Sequence, residues 1–300
     1  MRRTGAATLA FALLLAVGAA ARAQETISIT EELDFDRPES WGMKYFASLG
    51  LLTGMGVPEP PGAGGIAVGF EGGLVPQLDE EQRRIGFNGT KLEDVNKTRF
   101  FGRLRAAVGL SDNYSLDLAY TPPFAVGGAK PHLFAVGIGR PFVLSPRWRL
   151  GVRAYGQIGS IEGDITCSAG EVAAGADPEL NPFLCEEPSN DSLKQGLLGA
   201  EISVGYVAGR WRPYAGVALN YMDLEFQVDA RYSGVVDRTL QLTDGVTVSV
   251  TTGVGFAPSE RWHLSAELFY SWLSVNRPPG SSPQNDGFLN GRLLVAYRVR

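Results

Sequence analysis

Cysteine and histidine are nearly absent, with two of each in 300 residues. Two cysteines exclude a disulfide-built mini-protein, and the shortage of both residue types argues against a dedicated transition-metal centre, so neither metal nor cofactor is expected. Beyond residue 23 no run of 18 apolar residues occurs, which excludes a bundle of membrane-spanning helices. A basic surplus is missing too. Lys and Arg number 27 against 32 Asp and Glu, and the formal charge of -5 argues against a general nucleic-acid binder. Glycine is abundant at 38 residues but follows no triplet period, so the chain is not collagen-like.

What is present begins with a leader. Arg2 and Arg3 precede an apolar stretch from Ala6 to Ala21, and Ala21-Arg22-Ala23 stands before Gln24 as a small-x-small cleavage site. Residues 1–23 therefore read as a cleaved secretory signal peptide, and 24–300 as one domain exported across the inner membrane.

Within that domain the dominant period is two. From Val246 to Phe256 the even positions hold Val246, Val248, Val250, Thr252, Val254 and Phe256, while the odd ones hold Thr247, Ser249, Thr251, Gly253 and Gly255. The segments 43–57, 65–77, 99–110, 112–121, 147–158, 195–206, 211–222, 260–273 and 288–299 alternate in the same way, and 133–144 does so less cleanly. Connections of two kinds separate them. Leu110 to Tyr114, Leu144 to Trp148, Val207 to Trp211 and Ala257 to Trp262 are short polar turns, each followed at once by an aromatic: Tyr114, Trp148, Trp211 and Trp262. The opposite loops, about 78–98, 122–132, 159–194, 227–243 and 274–287, are long. Strands of about ten residues, short turns on one rim, long loops on the other and aromatics at the boundary fit an all-β, closed antiparallel transmembrane β-barrel. Both chain ends should then be periplasmic. Counting strands backwards requires 43–55 as a descending strand and Thr26 to Phe35 as the first, which gives about 12 strands, with 10 as the alternative.

On these residues the chain resembles the broad superfamily of small bacterial outer-membrane β-barrel proteins. The likeness implies a place in the bacterial outer membrane. It also implies contact with outer-membrane lipid and lipopolysaccharide and with the outer-membrane assembly machinery.

The inward phase then carries the chemistry. It places Lys44, Arg99, Arg103, Arg105, Arg149, Arg153, Arg212, Arg292 and Arg298 in the lumen, opposed by Glu71, Asp117, Glu201 and Glu267. Counting along neighbouring strands sets Glu71 beside Arg103, Glu201 beside Arg153 and Glu267 beside Arg292. Two readings stay open. Cross-strand ion pairs could simply fill the interior, or a surplus of positive charge could line a narrow channel or binding barrel for a small anionic solute. A non-enzymatic barrel is expected. His263 and Ser265 are similar to the His-x-Ser pairing of outer-membrane phospholipases and lipid A deacylases, but they face the lumen, where a lipid-cutting site does not belong. Finally, Cys167 and Cys185 share one loop, which in an exported chain reads as a disulfide. From Gly159 to Asp191 that loop has eight acids and no Lys or Arg, as a solvated acidic lid would.

Overall fold

The computed structural model describes residues 25–278 and 280–299; the signal-peptide expectation lies outside the described residues. Ten strands form the barrel: β1 Ile66–Leu74, β2 Phe100–Ser111, β3 Tyr114–Thr121, β4 Lys130–Val143, β5 Trp148–Gly163, β6 Asp191–Tyr206, β7 Trp211–Gln227, β8 Leu240–Phe256, β9 Trp262–Trp272 and β10 Phe288–Arg298. Each pairs antiparallel with its neighbour in sequence, and β10 returns to β1 in a register that sets Arg292 opposite Gly73. The sheet therefore closes, which leaves no strand of the barrel with a whole edge unpaired in lipid.

Side chains separate by parity along each strand. Phe70, Leu104, Val136, Ile202, Leu219, Val250, Leu268 and Leu293 are exposed on the outside, while Glu71, Arg103, Tyr155, Glu201, Ser249 and Glu267 are buried inside. This inversion of the usual globular pattern is stable only where the solvent is hydrocarbon. At the short-turn rim Trp148 meets Tyr206, Trp211 meets Phe256 and Trp262 meets Tyr297 with ring centroids 4.5–5.0 Å apart, and the Arg140 guanidinium lies over the Tyr114 ring. These rings form the belt at the membrane boundary.

The count is ten, not twelve, because both extra candidates lie elsewhere. Residues 43–55 do not form a strand. Pro38–Leu49 is a helix, α1, with Pro38 in its first turn where a missing N–H costs nothing. Leu51, Leu52, Thr53 and Met55 continue from it as buried, irregular chain. The segment from Thr26 to Phe35 contributes two short pieces instead of one strand. Glu25–Ile27 joins a small sheet built from the long loops, pairing with Val235–Asp237, and Thr30–Glu32 runs parallel to Leu240–Leu242 at the rim.

The path of this N-terminal segment fixes the interior. It starts among the long loops, descends through the lumen, and reaches the short-turn rim, where Glu59 pairs with Arg212 at 2.6 Å and Gly64 donates to the Gly109 carbonyl. An eight-stranded barrel is filled by its own side chains, so two further strands make room for one extra chain. Inward glycines supply the close fit at the bottom. A Cβ at Gly151 would stand 2.5 Å from Pro58, and one at Gly205 would stand 2.7 Å from Val57.

Candidate functional site

Helix α1 and the chain down to Pro58 form a plug, and the lumen charges are organised around it. Glu71, fully buried on β1, accepts from Arg103 Nη2 at 2.6 Å and from Arg105 Nη1 at 2.8 Å, with Arg292 Nη1 at 3.9 Å. One carboxylate faces three guanidinium groups. The remaining arginine donors point at main-chain carbonyls of the plug. Arg103 reaches Gly50 and Leu51 at 2.7 and 3.1 Å, Arg105 reaches Thr53 at 3.0 Å, and Arg153 bonds to the Leu52 carbonyl and to Glu201. Arg292 donates to Ser48, Leu49 and Leu51.

The arrangement answers a backbone requirement. The last carbonyls of a helix have no partner within it and carry the negative end of its dipole. Arg292 supplies both donors and positive charge at that end of α1. Below it, Thr53 donates to Glu267 at 2.6 Å, the Gly54 amide donates to Glu201 at 3.2 Å, and Ser265 donates to the Met55 carbonyl at 2.8 Å.

Several sequence expectations resolve against this geometry. Glu71 with Arg103, and Glu201 with Arg153, are in contact. Glu267 and Arg292 are ladder partners, yet Glu267 bonds to Thr53 and Tyr214 while Arg292 turns to the plug. Asp117 lies 3.8 Å from Arg153. Arg149 and Arg212 stand near the short-turn rim, where Arg149 donates to the Ser145 carbonyl. Arg99 is outside the lumen, exposed just before β2, because that strand starts one residue later. Lys44 is on α1 and not on a strand; its ammonium donates to the carbonyls of Phe35 and Ser274. No hydrogen bond joins His263 to Ser265 among the described residues, and the serine hydroxyl is committed to Met55.

Two spaces border the plug. A vestibule of about 580 Å³ at the short-turn rim is lined by Arg105, Arg153, Arg212, Arg298, His263 and Asp117, with Gly54 to Glu59 as its roof. In it Arg153 Nε and Nη1 are buried without a hydrogen-bond partner among the described residues. Above, a larger apolar cavity lies beside α1.

Over the opposite mouth the long loops form a cap. Cys167 and Cys185 are joined as a disulfide, and Ser168 caps the short helix Ala169–Ala174. The acidic loop is partly neutralised: Lys97 pairs with Asp164 at 2.8 Å, and Lys91 lies near Glu171 at 3.9 Å.

A closed ten-stranded sheet with an apolar outside, a charged inside and a belt of aromatic rings defines a bacterial outer-membrane β-barrel. No family model matches the chain, and no curated protein matches it in sequence. Solved structures that it resembles include those of three bacterial proteins. The attachment invasion locus protein Ail of Yersinia pestis shares 11% identity over 79% of this chain and 98% of that chain, with a TM-score of 0.27. The outer membrane protease OmpT of Escherichia coli shares 10% over 78% and 92%, with a TM-score of 0.33. The translocator domain of autotransporter NalP from Neisseria meningitidis shares 12% over 79% and 89%, with a TM-score of 0.40. At 10–12% identity the likeness is one of fold alone and assigns no activity to this chain.

Proposed function

We propose that the protein is a plugged solute barrel: a small anion is held in the arginine-lined vestibule and passes only when the plug moves aside. The observation that carries this reading is buried Arg153 at the vestibule, whose Nε and Nη1 make no hydrogen bond among the described residues and whose nearest further acid, Asp117, stands 3.8 Å away, with Arg105, Arg212 and Arg298 on the same lining. A buried donor without a partner costs about 1–3 kcal/mol, and an oxyanion would satisfy it. The plug is held mainly by hydrogen bonds from arginine to its carbonyls. Arg153 also bonds the Leu52 carbonyl through Nη2, so an anion on its free side pulls on the same guanidinium that holds the plug, and binding and release of the plug are chemically linked.

Gly54 offers the test. A Cβ there would stand 2.7 Å from Glu201 Oε1 and from the Gly56 carbonyl, so Gly54→Val crowds the plug against the wall. Overpacking of this kind costs about 1–3 kcal/mol and falls on the plug before the barrel ladder. In planar-bilayer recordings the unmodified protein is expected to stay mostly closed with brief openings, and Gly54→Val to open far more often. A folded Gly54→Val barrel that stays silent would overturn the gated reading.

A further inference from the structure

The barrel wall has a gap. β3 ends at Thr121, followed by Pro122 and Pro123, which have no N–H to extend a ladder. β2 pairs with β3 only from Leu104, opposite Tyr120, and β4 pairs with it only from Leu133, opposite Thr121. Phe100 to Gly102 on one side and Lys130 to His132 on the other therefore have no strand between them. The Thr98 hydroxyl closes off the Phe100 amide and carbonyl, so part of this edge is satisfied without a neighbour.

An apolar space of about 1480 Å³ runs from the gap along the lipid-facing side of the barrel, past Leu293 and Leu268 as far as Val254. Its inner wall includes Leu49 of the plug with Val75, Phe101 and Leu133. Its outer lining is the lipid-facing surface at Leu74, Phe100 and Leu104. The same space thus borders both the lumen and the bilayer. The loop above it, 122–129, reads Pro-Pro-Phe-Ala-Val-Gly-Gly-Ala without a charge, unlike the acidic loop 159–191, and Phe124 is 71% exposed. An uncharged, aromatic-bearing loop at this position suits the boundary of a bilayer better than water.

We propose that this cavity is a lateral binding site for a hydrocarbon chain, occupied from the bilayer by an acyl chain of a membrane lipid. Its mouth opens on the lipid-facing surface, so an acyl chain is the apolar group that meets it without crossing water. Lys97 at its rim is held by Asp94 and Asp164, each at 2.8 Å, and offers no free charge to an anionic headgroup. Recognition therefore falls on the chain, with the headgroup left outside.

The two native cysteines are joined to each other, so one introduced cysteine is the sole free thiol. Full-length Leu133→Cys is labelled with bimane in the unfolded state, then folded into phosphatidylcholine vesicles whose acyl chains carry bromine. Although Leu133 faces inward, its bimane is expected to be quenched within about twofold of one at the outward-facing Val136→Cys, since both would touch acyl chains. Lumen-facing Ser249→Cys, away from the cavity, should be quenched far less. Phe101→Cys gives a second reporter should Leu133→Cys fail to fold. Quenching of both cavity reporters by aqueous iodide and not by brominated lipid would overturn the proposal in favour of a water-filled pocket. Absence of quenching by either agent would overturn it in favour of a sealed one.

Discussion

At Glu71 three guanidinium groups share one carboxylate, and the imbalance is settled by plug carbonyls instead of further acids. Removing the single negative charge leaves three buried cations facing one another. Taking away one partner of a buried ion pair costs about 3–5 kcal/mol. Glu71→Gln should therefore lower the denaturant midpoint of the folded barrel, read from the gel mobility of unheated samples, whereas Glu162→Gln on the half-exposed Lys130 pair should leave it nearly unchanged. In the cap, burial pushes the Glu93 carboxyl up to about 8. The Lys91 ammonium 2.5 Å away opposes this rise, and Glu171 and Asp191 add to it. Unfolded, the group titrates near 4.5, so between about 4.5 and about 8 the folded state holds a proton that the unfolded state has lost. Its contribution is complete below the lower value and is lost as pH rises through the upper one. Amide exchange in 84–95, corrected for intrinsic rates, should accordingly reveal a looser cap at about pH 9 than at about pH 5, with Glu93→Gln removing the difference. An unchanged pH dependence in that variant would assign it to another group.

Elements differ in how far the sequence reveals them. The ten barrel strands were legible because one face meets lipid and the other meets the lumen, so each writes a period of two that chain order does not disturb. The plug was not legible for the opposite reason. Trp41, Met43, Tyr45, Ala47 and Leu49 are buried around the helix together with polar Ser40, Lys44 and Ser48, so no apolar stripe of 3.6 separates a core face from a solvent face. Over 43–57 its residues can pass for two-faced alternation. Pro38 after Asp34 and Asp36 was the available sign of a helix start. The lumen arginines were visible, but their partners were not, since a main-chain carbonyl leaves no trace in residue identity. The Cys167 and Cys185 pairing could be read because loop and compartment sufficed. Closing that loop contributes about 3 kcal/mol to the cap by the chain-entropy estimate. Reductant should expose 164–190 to protease while the barrel keeps its heat-modifiable mobility. Loss of both together would mean that cap and barrel unfold as one unit.

For the whole molecule, the proposed opening of the plug would change which charges a passing ion meets. With the plug in place Arg103, Arg105, Arg153 and Arg292 each donate to a carbonyl of Gly50, Leu51, Leu52 or Thr53. Were that segment to withdraw, the four cations would stay on the wall with Glu71, Asp117, Glu201 and Glu267, and Arg149, Arg212 and Arg298 nearer the short-turn rim would supply the surplus. Arginine is thus in excess along the wall, while the loop from Gly159 to Asp191 makes the far mouth acidic. The two fields oppose each other. Charges in a confined, partly desolvated passage are screened less than those on a solvated loop at physiological salt, so the wall should decide. Openings of Gly54→Val under a salt gradient should give a reversal potential that favours the anion. Adding Arg103→Glu and Arg153→Glu should weaken or invert that preference. Strong cation selectivity in Gly54→Val alone would place control at the acidic cap, and the arginines would then serve only to hold the plug.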